Sequence, residues 1–470
     1  MDGLALTAAD VAAATQGRLL HGDGATAIGR ITIDSRAVEA GDLFVAIKGE
    51  RFDGHDFVSD ALGRGAVGAI VHQPSIAERL ARDRRPPLLI TVPDTTRALQ
   101  DVARHVRRES GARVVAITGS AGKTTTKEIA AEFLGARYRV FRNKGNLNNH
   151  IGLPLSLLEL RSKPDLAVVE LGMNHPGEIR TLVGIAEPEV RVWTNVGDAH
   201  LGFFESADAI AAAKAEILEL ARPGDTAVAN ADDSRVMAHV RGFAGRVVTF
   251  GIDEPADVRA TDVRLGGLEG ASARIATASG DALLTTPLLG RGNLANVLAA
   301  TAVAIQFDVP LWEIVDRARA LRAAHHRGEL LRLAGGITLI DDSYNSSPSA
   351  LKNALETVAR ATGCARKVAV LGEMLELGPH AAPLHSECGR AAARAGLDLL
   401  ITVGGPPARE LAAAAVEAGM PERAVTHAAT NVEAVAIVRD RVRPGDLVLV
   451  KGSRGIGTDL VVERLKAEFA

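Results

Sequence analysis

Val114-Val115-Ala116-Ile117-Thr118-Gly119-Ser120-Ala121-Gly122-Lys123-Thr124-Thr125-Thr126-Lys127-Glu128 decides how this chain is read. The apolar run at its start predicts a short buried strand. Gly119, Ser120, Ala121 and Gly122 make a turn of small residues, and Lys123, Thr124 and Thr125 open a helix-like stretch. That order of elements suits a phosphate. Small side chains let backbone N–H groups approach the oxygens, and a helix N-terminus adds partial positive charge. Lys123 has the reach for the β- and γ-phosphates, and the Thr124 hydroxyl can bind Mg²⁺. The loop is a variant: Gly119 and Gly122 enclose only Ser120 and Ala121, and Ile117 stands where the general pattern has its first glycine.

Outward from this loop, apolar runs alternate with Ala-rich helical stretches. Leu166-Ala167-Val168-Val169, Val190-Arg191-Val192-Trp193 and Ala227-Val228-Ala229 read as buried strands, and 207–220 carries apolar residues at helical spacing. Such alternation predicts an α/β chain with parallel sheets. Glu170 closes the second of these strands, and an acid at a strand end beside a phosphate loop can hold Mg²⁺.

The 470 residues predict two to four domains. With Lys+Arg 54 against Asp+Glu 57, no excess of base is available to bind a polyanion over a broad face. Aromatic residues at 3% leave no stacking platform for single-stranded nucleic acid. No nucleic-acid partner is expected. Cys364 and Cys388 are too few for a disulfide framework and too far apart for a Cys-x-x-Cys motif, which points to a reducing compartment. The N-terminal stretch has acids and no basic region, and no apolar run reaches the ~18 residues of a membrane span. The expectation is a cytoplasmic chain without membrane insertion, read as a monomer.

Two boundaries are expected. Four arginines from Arg104 to Arg113 lead into the phosphate-loop strand, and the run Ala323-Ala324-His325-His326-Arg327-Gly328 precedes a renewed strand–helix alternation. The domains are then 1–109, a small α/β domain; 110–325, a central P-loop-type parallel-sheet domain; and 326–470, a C-terminal Rossmann-like domain.

A GTPase would carry Asn-Lys-x-Asp, and the nearest run, Asn143-Lys144-Gly145-Asn146, lacks the acid. The short Gly-x-x-Gly-Lys-Thr loop and later segments together resemble the Mur ligase family, ATP-dependent amide-bond-forming enzymes of peptidoglycan precursor synthesis. The resemblance covers essentially the whole chain. It implies that Gly119, Ser120, Ala121, Gly122, Lys123, Thr124 and Thr125 form the ATP loop and that Glu170 binds Mg²⁺. His200, in Asn195-Val196-Gly197-Asp198-Ala199-His200, would bind a second Mg²⁺, and Lys214 would be carbamylated by CO₂ and join Thr124, Glu170 and His200 around the metals. Lys123, His200 and Lys214 are the implied catalytic residues. Asn293 and Asn296 would contact adenine, and Arg327, Asp342, Tyr344 and Asn345 would supply nucleotide contacts from the C-terminal domain.

Each residue has a plainer reading on its own. His200 is then a structural or surface histidine, Lys214 a solvated lysine on an Ala-rich helix, and Asn293 and Asn296 helix caps. Arg327 is then a linker charge and Asp342 a turn acid.

Thr32-Ile33-Asp34-Ser35-Arg36 and Phe52-Asp53-Gly54-His55 resemble the UDP-binding domain of the enzymes that add the third and fourth components, with Ser35, Arg36, Phe52 and Asp53 on the substrate. Asn148 and Asn149 in 146–154, and Asn174 and His175 in 174–179, resemble the D-alanyl-D-alanine-adding branch. The Asp-Asn-Pro-Arg motif of the diaminopimelate-adding branch is absent, and Thr402-Val403-Gly404-Gly405-Pro406-Pro407 stands near its expected place. The implied partners are UDP-N-acetylmuramoyl-tripeptide and D-alanyl-D-alanine, with ATP and two Mg²⁺ as cofactors. A diamino-acid-adding ligase and a non-catalytic P-loop binding protein remain the alternatives.

Overall fold

The computed structural model describes residues 3–73, 80, 86–198 and 201–469. The chain is mixed α/β and forms two compact units: Met1–Ala116 with Tyr138–Met173 and Gly177–Glu189, and Ile117–Arg137 with Asn174–Pro176 and Val190–Ala470. These units divide the chain differently from the expected boundaries at 109/110 and 325/326, since their cut runs through 110–325.

In the first unit, five strands lie in the order Arg18–His21, Leu88–Thr91, Gly68–Val71, Leu43–Val45, Ile31–Thr32. All neighbours are parallel except the first pair. Gly68–Val71 and Leu43–Val45 are buried at every position, as parallel strands covered on both faces must be. The arginine-rich stretch read as a linker is the end of a helix, Thr95–Ser110, stopped by Gly111 in the left-handed conformation. Its arginines are fastened: Arg104 and Arg108 pair with Glu187, at 2.7 and 2.5 Å, and Arg107 with Glu189 at 2.7 Å. The charge run marks a packed helix face instead of a loose connection. Val140–Arg142 and Leu166–Glu170 add a parallel pair, and Leu166–Glu170 is buried throughout.

In the second unit, six strands lie in the order Gly280–Thr286, Ala271–Thr277, Val258–Leu265, Arg246–Gly251, Thr226–Asn230, Val190–Trp193. The last four are parallel, and the first two extend them as antiparallel ribbons. These ribbons were not expected from the α/β alternation. The predicted helix at 207–220 is Ala207–Ala215 followed by a 3₁₀ turn, Glu216–Leu218. A separate sheet has the order Glu329–Arg332, Thr338–Asp342, Asp446–Lys451, Arg366–Gly372, Leu399–Val403, Val425–Ala428. It is parallel except at its first pair, with an apolar cluster on each face under helices such as Pro348–Arg360 and Asp459–Glu468. Among the described residues, no helix is long and apolar enough to cross a membrane.

Candidate active site

The phosphate loop belongs to the second unit. Helix Lys123–Leu134 starts at Gly122, which has no side chain to cap the first turn. Two glycines are structural necessities. A Cβ on Gly119 would lie 1.9 Å from Thr194 Oγ1, and one on Gly122 2.2 Å from Asn296 Oδ1. Gly122 also has φ +83°, a left-handed conformation.

A second loop braces the first. Thr194 N–H donates to the Thr118 carbonyl at 3.0 Å, and its hydroxyl donates to the Ala121 carbonyl at 2.7 Å. The Asn195 amide grips Ala121 at both ends: Oδ1 accepts from Ala121 N–H at 2.9 Å, and Nδ2 donates to its carbonyl at 3.1 Å. Ser120 N–H donates to the Asn195 carbonyl at 3.0 Å, and Ser120 Oγ accepts from Gly197 N–H at 2.9 Å. Asp233 holds the bracing loop by accepting from Val196 N–H at 2.7 Å. Ser120 and Ala121, read as phosphate contacts, thus spend these groups on the shape of the loop. Lys123 Nζ donates to the Gly119 carbonyl at 2.7 Å, so its ammonium is folded back over the turn.

Asn296 is buried and belongs to the loop wall, its Oδ1 accepting from the Thr126 hydroxyl at 3.2 Å. Asn293 donates to the Leu289 carbonyl at 2.9 Å and accepts from Asn296 Nδ2 at 3.2 Å. Helix Gly290–Ile305 therefore begins before Asn293. Lys214, on helix Ala207–Ala215, is only 1% exposed. That removes its reading as a solvated surface lysine. Thr124 and Thr125 lie in the first turn of the phosphate-loop helix. Ala199 and His200 lie outside the described residues. Asn174 and His175 are exposed, and the His175 ring meets Phe203 edge-on, at 5.6 Å between centroids.

In the C-terminal part of the same unit, the Arg327 guanidinium lies 4.1 Å from the centre of the Tyr344 ring, and Arg454 lies 5.5 Å from it. Lys451 is buried and donates to Asp342 Oδ2 at 2.7 Å and to the Asn345 carbonyl at 3.0 Å. Burial raises the Asp342 pKa above the ordinary carboxylate value, against the opposing pull of Lys451. Asp342, Tyr344 and Asn345 follow one strand, Thr338–Asp342, and Lys451 ends its neighbour, Asp446–Lys451, so the sheet register brings them together. Near the phosphate loop, a Cβ on Gly197 would contact Ser349 Oγ at 3.2 Å and Ser120 Cβ at 3.5 Å. The Cys388 thiol is pushed up to about 12 by burial, which leaves it protonated.

In the first unit, Glu170 is buried at the end of Leu166–Glu170. Asn148 Nδ2 donates to Glu170 Oε1 at 2.8 Å, and Glu170 N–H donates to Asn143 Oδ1 at 3.1 Å. A carboxylate so buried and oriented is the hard oxygen donor Mg²⁺ requires. Asn149 caps helix Gly152–Leu157 by accepting from Gly152 N–H at 2.8 Å. Ser35 is nearly buried, and Arg36 reaches back to Asp34 at 2.9 Å. Hydrogen bonds from Arg36 hold the Asp34 carboxyl down to about 2. Asp53 accepts from the His55 ring at 2.6 Å and from His55 N–H at 3.0 Å, while Phe52 is 71% exposed against Phe57.

Residues 117–304 match the model of the Mur ligase middle domain, 326–454 that of the Mur ligase glutamate ligase domain, and 27–107 that of the Mur ligase family catalytic domain. The chain belongs to the Mur ligase family. It is 33% identical to the UDP-N-acetylmuramoyl-tripeptide–D-alanyl-D-alanine ligase of Bacillus subtilis over 94% of this chain and 93% of that one. The crystal structure of MurF from Acinetobacter baumannii superposes with a TM-score of 0.88 at 33% identity, covering 99% of this chain and all (100%) of that one. MurF ligase from Thermotoga maritima, in complex with ADP, gives 0.81 at 30% identity over 93% and 97%.

Several residues that support the candidate groups were not singled out in the sequence: in the second unit Thr194, Asn195 and Asp233 behind the phosphate loop and Lys451 and Arg454 beside Asp342 and Tyr344, and in the first unit Asn143 behind Glu170. A signal existed for Lys451 and Arg454. Leu447 to Val450 reads as a buried strand, and it ends in Lys451-Gly452-Ser453-Arg454, where small residues bring basic groups to a strand end.

Proposed function

We propose that this Mur ligase joins D-alanyl-D-alanine to UDP-N-acetylmuramoyl-tripeptide with conversion of ATP to ADP and phosphate. What carries the reading is the likeness, end to end, to D-alanyl-D-alanine ligases in a chain whose phosphate loop has its lysine and its bracing residues in place. The proposal includes domains at 1–109, 110–325 and 326–470, a cytoplasmic location and a monomeric state.

A carboxylate is a poor electrophile and must be activated. A tripeptide carboxylate oxygen forms a bond to the γ-phosphorus of ATP while the bond to the β-phosphate oxygen breaks, releasing ADP. The dipeptide amine then attacks the acyl carbon, loses a proton, and the carbon–oxygen bond to phosphate breaks. Lys123 offsets the charge on the transferring group, and the rigid loop around Ala121 keeps that group aligned. Thr124, Glu170, His200 and carbamylated Lys214 would hold Mg²⁺, which when bound supplies further charge neutralisation. Asn293, Asn296, Arg327, Asp342, Tyr344 and Asn345 serve the nucleotide. Ser35, Arg36, Phe52, Asp53, Asn148, Asn149, Asn174 and His175 serve the two substrates.

The deciding measurement is ADP release with each substrate pair. Turnover is expected with UDP-N-acetylmuramoyl-tripeptide and D-alanyl-D-alanine together. Turnover confined to the UDP-dipeptide and a diamino acid would reassign the enzyme, and none with any acceptor would leave a binding protein.

Gly122→Ala tests the loop. The methyl group would displace Asn296 Oδ1 and occupy a left-handed backbone that costs an L-residue about 1–2 kcal/mol. Calorimetric titration with ADP is expected to show affinity reduced by about tenfold or more. Unchanged affinity would mean that the loop tolerates a side chain there.

A further inference from the structure

Residues 321–328 join helix Leu311–Arg319 to strand Glu329–Arg332, and they carry two adjacent histidines. His326 has a left-handed backbone, φ +60°, and the rings of His325 and His326 lie 3.6 Å apart between centroids, tilted by 35°. Beneath them, the antiparallel register pairs Glu329 with Asp341 across two strands, which puts both carboxylates on one face. Each imidazole is aimed at one acid. His326 Nδ1 is 2.7 Å from Asp341 Oδ2, and His325 Nδ1 is 3.1 Å from Glu329 Oε2. Asp341 is fully buried, and its other oxygen accepts from the Ser343 hydroxyl at 2.6 Å.

One ligand atom each from His325, His326 and Asp341 lie within 4.8 Å of one another. In a tetrahedral site with bonds of about 2.1 Å, donors stand roughly 3.4 Å apart. A modest rotation of the exposed His325 ring closes that difference. The donor set selects the ion. Two imidazoles with carboxylates suit Zn²⁺, Co²⁺ or Ni²⁺, whereas Mg²⁺ prefers oxygen alone. Lys466, the opposing cation on helix Asp459–Glu468, is itself paired with Glu463 at 2.9 Å.

We propose that His325, His326 and Asp341, with Glu329 as fourth donor, bind a transition-metal ion of the zinc class where the linker meets the C-terminal sheet. The ion takes the place of the protons now shared between Nδ1 and carboxylate; each imidazole keeps its proton on Nε2, and any excess proton goes to solvent. The site uses none of the proposed Mg²⁺ ligands and rests on no assignment of substrate. A bound ion would pin the linker to the first two strands of the sheet, beside Arg327 and Tyr344.

The test is a Co²⁺ titration of the untagged full-length chain in excess Mg²⁺, followed by visible d–d absorption. One Co²⁺ per chain is expected, displaced by Zn²⁺. His325→Ala and Glu329→Gln, at positions not fully buried, are each expected to lower affinity by about tenfold or more, with circular dichroism unchanged. Glu170→Gln is expected to leave the Co²⁺ signal intact. Absence of saturable binding, equal binding by His325→Ala, or loss of the signal in Glu170→Gln would each overturn the proposal. The first of these would leave His326 as the hydrogen-bond partner of buried Asp341.

Discussion

Lys123→Ala is expected to lose about 10²–10³-fold in kcat for ADP formation, roughly 2.7–4 kcal/mol of transition-state stabilisation. The lysine's ammonium is folded onto the loop's own turn, through the Gly119 carbonyl at 2.7 Å. Loop carbonyls hold an ammonium there, and on the proposed function it would face the negative charge that develops during γ-phosphoryl transfer. Its contribution is therefore greatest in the transition state, so kcat should fall more than KM rises. The fold should survive. The hydrogen bonds by which Thr194, Asn195 and the Ser120 hydroxyl brace the loop are made to the Ala121 and Gly197 backbone, not to the lysine. Losing the half-buried bond to Gly119 should cost about 1 kcal/mol of stability. Single-turnover kinetics separate the chemical step from product release. A variant that folds, binds ATP and turns over normally would place the phosphoryl chemistry elsewhere in the chain.

The same loop shows what was legible beforehand and what was not. Val114 to Ile117 could be read as a buried strand because its residues are uninterrupted and apolar, and Gly-Lys-Thr announces a phosphate because few other uses need that order. Glu170 was legible for a similar reason: an acid ending a wholly apolar strand is conspicuous. Asn195 was not. Its importance lies in gripping both ends of Ala121, a contact across 74 residues of sequence, and short polar residues in loops look alike until their partners are known. The partners of the arginines of 104–108 were hidden for the same physical reason. Read locally these arginines suggest an exposed boundary, yet their partners, Glu187 and Glu189, lie some 80 residues on. Val258–Leu265, which pairs parallel on one side and antiparallel on the other, has apolar and polar residues in partial alternation, but the pattern is weak beside the buried runs before it. Lys451 belongs with Asp342 only because parallel pairing aligns the ends of Thr338–Asp342 and Asp446–Lys451.

Lys214→Ala is expected to abolish nearly all turnover, by about 10³-fold, and to recover part of it in the presence of formate or acetate. The helical spacing over 207–220 did not say which way the lysine points, since a lone lysine among alanines reads as solvated by default. The structure buries it to 1% exposure. The neutral amine is the form that adds CO₂. Addition of CO₂ to the Lys214 amine would give a carbamate, an anion at the end of a lysine-length arm that offers oxygen donors where an ammonium would repel a cation. Alanine removes both the arm and the anion and leaves a space in which a small carboxylate can take up the same charge. Rescue is the informative outcome, because a variant damaged only in its packing has no reason to respond to acetate. Loss of activity without rescue, accompanied by a lowered Tm, would make Lys214 a structural lysine, and full activity in the alanine variant would remove the carbamate from the mechanism altogether.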